Sequence, residues 1–261
     1  MSTTALAAPI RVNTAGVHAR PGLGRLVAVE LRKMVDTRAG FWLQVSMVAL
    51  TMVVVAVRLL VGDASDHTFE PVLDAGLQPA AVLLPVLGIL LVTSEWSQRT
   101  GLITFALVPV RSRVLGAKLI ASLLLAVAML AISVAVIAAG VLVSSPGVEG
   151  IWSDAVPLIG QSAVYLTTGM VVGVAFGAIL LAPTPAMVLL FALPVSWMAL
   201  LSLPVFSGVA PWVDHARALG PMTAEILSAS QWAHAGTSLV IWMVLPLLIG
   251  ARRITRYEVT A

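Results

Sequence analysis

Cysteine is absent from the 261-residue sequence, and charged side chains are scarce. Without cysteine the chain has no disulfide framework, no thiol nucleophile and no thiolate metal site. Only 10% of the residues are charged, against about 25% in soluble domains, and 59% are hydrophobic. The interior of a water-soluble protein of this length is too small for such an apolar excess. Soluble enzymes, nucleic-acid binders and disordered scaffolds are therefore excluded, and an integral membrane protein is predicted.

Sequence motifs for catalysis within a membrane are also missing. The chain contains no Gly-x-Ser-x-Gly elbow, no His-Glu-x-x-His pair and no Gly-x-x-x-x-Gly-Lys-Ser/Thr phosphate loop. The four histidines are far apart in the sequence, and three of them lie outside the apolar runs with His234 at the start of the sixth, which disfavours a metal site. We therefore expect no catalytic, cofactor-binding or metal-binding residues in this chain. Any energy from ATP must then come through another chain.

A transmembrane helix needs about 20 apolar residues, and the sequence contains runs of this kind. The runs cover residues 41–61, 77–93, 114–143, 156–181, 186–206 and 233–250. Ionisable side chains are almost absent from them, although ion-coupled carriers and proton pumps usually keep such groups within the membrane. We therefore predict an all-α membrane protein with six spans, and ion-coupled transport is disfavoured.

The basic residues are distributed unevenly between the segments that connect the runs. Of the 15 lysines and arginines, 13 lie before the first run, between the second run and the first turns of the third, where Lys118 lies, or after the sixth. With acidic residues included, this side sums to +9, and the opposite side, to which Arg58 near the end of the first run is assigned, sums to −6. Because basic residues concentrate in cytoplasmic loops, this asymmetry predicts cytoplasmic termini. The formal net charge of +3 then implies no nucleic-acid partner.

Two segments on the predicted cytoplasmic side have amphipathic patterns. Residues 22–38 place an apolar stripe at helical spacing among arginines and Lys33, which is typical of a helix in the membrane interface. The alternative is a passive anchor with no further role. In residues 94–113, apolar side chains such as Leu102 and Phe105 lie among charges, which predicts a short helix packed on another surface. The alternative for this loop is a simple connection between two spans.

Small residues and prolines mark two further regions. Gly169, Gly173 and Gly177 form a ridge at four-residue spacing, which predicts close helix packing within one subunit, with a dimer contact as the alternative. Residues 203–230 are partly apolar and broken by prolines. We expect short helices there, one of them at 224–228, and an ordinary surface loop is the other interpretation.

The loop after the second span resembles that of a known family. Its order of residues is similar to the cytoplasmic loop of permeases of the ABC type-2 exporter family, with Glu95, Arg99, Thr100-Gly101-Leu102, Pro109, Arg113 and Lys118. The resemblance implies six spans, an elbow helix before the first span, a coupling helix in this loop and short outer helices between spans five and six. The chain is then expected to form a single permease domain over residues 1–261. Its parts would be a flexible cytoplasmic tail at 1–21, the interfacial elbow helix at 22–38, the spans at 41–250 and a second cytoplasmic tail at 251–261.

The same resemblance assigns partners and candidate residues. The coupling helix would dock on an ABC ATPase, present in two copies, which binds ATP and Mg. The permease would pair with a second copy of itself or with a similar permease. The residues at the ATPase contact would be Glu95, Trp96, Gln98, Arg99, Gly101 and Leu102. Candidate residues for the transport path on spans one and five are Gln44, Met47, Thr51, Met187, Phe191 and Met198.

These expectations predict the membrane subunit of an exporter in a bacterial plasma membrane, and not an enzyme. No wide charged lining suited to a polysaccharide is evident, and methionine-rich apolar surfaces adapt to varied ligands. The expected cargo is therefore an apolar or amphipathic drug, antibiotic or peptide, as in multidrug efflux. Two other functions stay open: an ATP-independent channel or facilitator, and an accessory membrane anchor of a sensor or secretion complex.

Overall fold

The computed structural model describes residues 22–62, 67–97, 110–144 and 150–256, and in these ranges the chain forms helices and turns without strands. The helices are α1 (Leu23–Asp36), α2 (Arg38–Val61), α3 (Phe69–Ser97), α4 (Arg111–Ser144), α5 (Ala155–Leu180), α6 (Pro183–Leu201), α7 (Ala210–Val213), α8 (His215–Leu219), α9 (Ala229–Leu239) and α10 (Leu245–Arg256). Two short 3-10 helices lie at Pro204–Phe206 and Gly220–Thr223, and a π turn at Val240–Val244 joins α9 to α10.

Among the described residues, six helical stretches are long and apolar enough to cross a membrane, which confirms the six predicted spans as helices. They are α2, α3, α4, α5, α6 and the continuous stretch from α9 into α10. The second span begins eight residues earlier than predicted, because Phe69 and Leu73 are buried in the core although acidic residues lie between and after them. The fifth span ends at Leu201 and not at 206, since the chain is extended at Leu203 before Pro204.

The predicted helix at 22–38 is present as α1, and a single residue separates it from α2. Thr37 has an extended backbone, and its hydroxyl accepts a hydrogen bond from the amide of Gly40 at 3.2 Å. A Cβ on Gly40 would overlap the carbonyl oxygen of Met34, so the bend requires glycine there. The side-chain amide of Gln44 donates to the carbonyl oxygens of Met34 and Gly40, each at 3.0 Å. The break therefore lies at Thr37, and Gly40 belongs to α2.

The glycine ridge of α5 packs against α3 within the chain. A Cβ on Gly173 would overlap the carbonyl oxygen of Pro85, and one on Gly177 would lie 3.1 Å from the carbonyl oxygen of Ile89. Gly88 of α3 makes the reciprocal approach to the backbone of Met170. Small residues let helix backbones come this close in a lipid environment, where packing replaces the hydrophobic effect as the source of helix association.

The six spans differ in how much of their surface the subunit itself buries. In the most apolar window of each helix, 56% of the residues of α3 and 61% of those of α5 are buried, against 17% in both α2 and α6. The core of the subunit therefore lies along α3 and α5, with α4 beside them. The spans α2 and α6 present most of their apolar surface outwards.

We predict that Gly173→Ala destabilises the protein by about 1–3 kcal/mol, because the added methyl group forces α5 away from the backbone of α3. Thermal unfolding in detergent measures the loss. Gly160→Ala is the matched control on the same helix, since a Cβ there meets nothing within 4 Å. Equal melting temperatures for the two variants would show that the ridge does not determine packing.

Candidate functional site

Four charged side chains meet where α1 packs against the end of α3 and the start of α4. We name Glu30, Lys33, Glu95 and Lys118 the ion quartet. The ammonium nitrogen of Lys33 lies 2.8 Å from Glu30 Oε1 and 2.8 Å from Glu95 Oε1. The ammonium nitrogen of Lys118 lies 2.7 Å from Glu30 Oε2 and 3.0 Å from Glu95 Oε1. The quartet is thus a closed ring of ion pairs with no net charge.

Three of the four side chains of the quartet are buried, and the fourth, Lys33, is partly exposed. The side chains of both glutamates are 6% exposed and that of Lys118 is 3% exposed, whereas that of Lys33 is 38% exposed. A buried charge is tolerated only when it is paired and hydrogen-bonded. Lys118 meets this condition with two carboxylates and with the carbonyl oxygen of Leu91, to which it donates at 3.1 Å.

Lys33 lies at the border between the quartet and a groove. Burial opposes its positive charge, but the hydrogen bonds to Glu30 and Glu95 and the charges of these carboxylates outweigh that effect and raise the pKa of Lys33 above its ordinary value. The groove has a volume of about 380 Å³ and lies between the α1–α2 bend, the end of α3 and the start of α6. Its lining includes Thr37, Ser97 and Pro183.

The ion quartet also joins the two ends of the segment that connects α3 to α4. Glu95 lies in the last turn of α3, and Lys118 lies about two turns into α4. Their ion pair therefore connects the two helices on either side of the segment at 98–110. Glu30 joins α1 to the same point through Lys118.

The predicted contact residues for an ATPase are only partly within the described ranges. Glu95 is turned into the quartet and is buried, so in this structure it is an internal ion-pair partner. Trp96 is half-buried beside Arg111 and Ile254, at the contact of α3 with α4 and α10. The remaining four residues, Gln98, Arg99, Gly101 and Leu102, lie outside the described residues, and the coupling helix stays a prediction.

The sequence pattern contained a signal for the quartet that the prediction missed. The apolar stripe of α1 was assigned from its hydrophobic residues, with Lys33 on the polar face. Glu30 lies between Val27 and Met34 at spacings of three and four, and these three residues are the buried ones of α1. A buried acidic residue in the centre of an apolar stripe indicates that cations lie close to it. Lys33 of α1 and Lys118 of α4 supply them.

The candidate path residues on α2 and α6 differ in their surroundings. Met47 and Thr51 are fully buried, and the hydroxyl of Thr51 donates to the carbonyl oxygen of Gly76 at 3.1 Å. Gln44 bonds the α1–α2 bend as described above, so in this structure the residues from α2 stabilise packing within the subunit. On α6, Phe191 is 47% exposed and Met198 is 46% exposed, with Met187 half-buried. Phe191 and Met198 are therefore available at the surface, whereas Met47 and Thr51 are not.

The opposite end of the bundle carries a second set of polar contacts. Asp74 of α3 accepts a hydrogen bond from the hydroxyl of Thr223 at 2.6 Å. The side chain of Gln161 on α5 donates to the carbonyl oxygen of Glu225 at 2.7 Å and accepts from the amide of Leu227 at 2.9 Å. Asp74 lies about 32 Å from Glu95 along α3 at 1.5 Å per residue, close to the thickness of a hydrocarbon core. The two polar ends are therefore one bilayer apart.

The segment between α6 and α9 folds into short helices, as predicted, but their positions differ. Residues 224–228 form no helix, and the helical pieces precede them. Proline occupies one of the first two positions in three of these pieces, where its missing amide costs nothing. The prolines therefore start short helices there. Asp214 caps α8 by accepting from the amides of Ala216 and Arg217 at 3.0 and 3.4 Å.

Two tryptophans hold this segment against the spans. The indole N–H groups of Trp197 and Trp242 both donate to the carbonyl oxygen of Val213, at 3.2 and 2.8 Å. Trp242 lies in the π turn, a rare helix form that often occurs at functional sites. The ring of His215 lies 6.0 Å from that of Trp242. Burial, opposed in part by the charge of Asp214, lowers the pKa of His215 to about 4, so its imidazole is neutral at pH 7.

We predict that Lys118→Met destabilises the protein more than Lys33→Met. Removing Lys118 leaves two carboxylates buried with one cation, a change that costs about 3–5 kcal/mol at a buried pair. Lys33 is partly solvated, so its loss costs less. Thermal unfolding of both variants in the same detergent measures the difference, and Glu95→Gln combined with Lys118→Met is expected to recover part of the loss. A larger loss for Lys33→Met would contradict the quartet geometry.

We predict that His215 makes the protein less stable in acid. Between pH 6.5 and about 4 the unfolded imidazole binds a proton and the folded one does not, so stability falls as the pH drops through this range, by up to ~3 kcal/mol. Melting temperatures at pH 7 and pH 4.5 measure the fall. His215→Gln is expected to show a smaller fall than the wild type. An equal fall in both proteins would place the acid sensitivity at other groups.

Comparison with known proteins gives no relative from which a function can be transferred. No protein-family model matches the chain, and no curated protein matches it. The functional conclusion therefore depends on the geometry of the two polar ends, on the charge asymmetry of the connecting segments and on the loop resemblance.

Proposed function

We propose that the chain is the membrane subunit of an ATP-driven exporter. It would lie in a bacterial plasma membrane with both termini in the cytoplasm, and it would act with separate ATPase subunits that bind ATP and Mg. The cargo would be an apolar or amphipathic molecule. The proposal combines the six apolar helices with the resemblance of the segment at 95–118 to an exporter coupling loop.

The ion pair of Glu95 with Lys118 is the observation that most supports this proposal. A membrane subunit that is driven by a separate ATPase must transmit force from its docking loop to its spans. The quartet fixes both ends of the loop at 98–110 to each other and to α1. Movement of a docked ATPase would therefore displace α3, α4 and the elbow helix α1 together.

The burial of the spans is consistent with a paired permease. The resemblance implies that spans one and five meet across the dimer, and α2 and α6 are the spans that the single subunit buries least. Exposed apolar side chains such as Trp42 and Phe191 lie on these two helices. A second permease copy on this surface would place Phe191 and Met198 of α6 beside the path.

The role of Glu95 differs from the one that the resemblance implies. As an internal member of the quartet it would position the segment that follows it, and residues of that segment would touch the ATPase. Arg99 is then the better test residue, because a change at Glu95 alters packing as well as any contact.

We predict that Arg99→Ala lowers ATP hydrolysis by the reconstituted complex about fivefold or more, while permease and ATPase levels stay the same. Each ABC ATPase of the source genome is co-expressed with the chain, the complex that forms is purified into nanodiscs, and phosphate release is measured. Arg252→Ala is the matched control, since Arg252 is an exposed arginine on the same predicted side at α10. Failure of any ATPase to co-purify, together with cargo movement in liposomes without ATP, would identify a channel or facilitator instead.

A further inference from the structure

The groove beside Lys33 changes from apolar to polar along its length. One face of α3 forms its floor, with Leu87, Leu90, Leu91, Ser94 and Ser97 in that order. The ten residues from the first leucine to the last serine cover about 15 Å of helix. Because Asp74 and Glu95 lie about one hydrocarbon thickness apart on the same helix, the serine end lies at the level of the lipid head groups. The leucine end then lies at the depth of the acyl chains.

Lys33 has a hydrogen-bond donor left for a ligand at the polar end of this groove. An ammonium group carries three N–H donors. Two of them bond Glu30 and Glu95, each at 2.8 Å, and the described residues supply no partner for the third. The side chain is 38% exposed and lines the groove, and the raised pKa of Lys33 keeps it charged. An anion in the groove can therefore accept a charge-assisted hydrogen bond from Lys33.

Two hydroxyl groups at the same end of the groove add polar contacts. The hydroxyl of Thr37 accepts from the amide of Gly40, which leaves its own hydrogen to donate to a ligand. The hydroxyl of Ser97 is exposed and donates to the carbonyl oxygen of Ser94 at 3.2 Å, so its oxygen can still accept. This end suits a ligand with a phosphate and with hydroxyl groups. A trimethylammonium group has no N–H or O–H and cannot bond the serine.

The size and position of the groove suit part of a lipid molecule. Its volume of about 380 Å³ falls within the range of about 300–1,000 Å³ that is usual for small-molecule sites. It lies between the start of α2 and the start of α6, and both of these spans pack against α3 and are little buried by the subunit. The candidate path residues and the exposed Trp42 are not part of its lining. A head group with the first part of one chain therefore fits, and the rest of the lipid stays in the bilayer.

We propose that this groove binds phosphatidylglycerol from the leaflet on this side of the membrane. The phosphate accepts from Lys33 and Thr37, the glycerol head group bonds Ser97, and one acyl chain follows the leucines. Glu95 also lies in the lining, but two lysines match its charge, so the quartet as a whole does not repel the phosphate. The basic excess of this side adds long-range attraction for an anionic lipid. The site belongs to one subunit and is independent of the proposed export function.

The test compares phosphatidylglycerol with phosphatidylcholine of identical acyl chains. The purified full chain in a non-ionic detergent is titrated with each lipid, and native mass spectrometry gives the dissociation constant of the first bound lipid. We expect phosphatidylglycerol to bind at least about fivefold more tightly, as one additional hydrogen bond provides. Equal dissociation constants would overturn the proposal. Glycerol 3-phosphate has a phosphate but no acyl chain, and its displacement of the lipid at equal concentration would identify a site for soluble phosphates instead and also overturn it.

Two pairs of variants separate the groove from general attraction to a basic surface. Lys33→Gln and Arg32→Gln each remove one positive charge from α1, but only Lys33 lines the groove. We expect Lys33→Gln to lose the preference for phosphatidylglycerol and Arg32→Gln to keep it. An equal loss in both variants would show diffuse attraction and overturn the proposal.

The second pair leaves every charge in place. Ser94→Phe fills the middle of the groove and is expected to remove the tight first lipid, whereas Ser112→Phe, exposed on α4 at the same end of the bundle and outside the groove, keeps it. Elution volume and melting temperature show that each variant is folded. Full retention of phosphatidylglycerol binding by Ser94→Phe would place the lipid elsewhere and overturn the proposal, even if Lys33→Gln fails to fold.

Discussion

Two lysines and two glutamates with no net charge hold α1, α3 and α4 together at one end of the bundle. An unpaired buried charge costs far more free energy than a paired one, so each member of the quartet requires the others. The three helices must therefore stay close enough for their charged side chains to remain hydrogen-bonded. The sequence contains 13 arginines and only two lysines, and both lysines belong to the quartet. The compact ammonium on a flexible stem can contact carboxylates from two helices, whereas the planar guanidinium favours one carboxylate held by both of its arms.

The helix α3 connects this constraint to the rest of the subunit. Its last turn holds Glu95, its middle packs backbone to backbone against the glycine ridge of α5, and its second turn holds Asp74 against Thr223. These contacts extend over about one bilayer thickness. The spans α2 and α6 contribute less to this interior, so the subunit consists of a well-packed centre and two helices that keep apolar surface for other contacts.

Hydropathy predicted the six helices and the amphipathic helix α1, because long apolar runs have few stable forms in a membrane. It failed where packing outweighs local composition. The start of α3 contains Glu70 and Asp74 and was excluded from the predicted span. Phe69 and Leu73 are nevertheless buried there, so packing in the core stabilises this part of the helix. The predicted amphipathic segment extended to residue 38, whereas the break lies at Thr37 and α2 begins at Arg38. The quartet was missed since its members are far apart in sequence, although Glu30 on the apolar stripe of α1 was visible.

Orientation and packing depend on different charged residues of the same side. The four charges of the quartet cancel, so the sum of +9 on the predicted cytoplasmic side comes entirely from residues outside it. All basic residues in that remainder are arginines, which stay charged under any condition in a cell. The orientation signal must remain in contact with water and lipid head groups to act. The lysines, in contrast, pair with the two buried glutamates, Lys118 inside the protein and Lys33 at the border of the groove, so their charges are matched locally. An exchange of one lysine and one glutamate of the quartet that leaves the net charge of this side unchanged therefore changes how the helices pack. It does not change which side of the membrane they face.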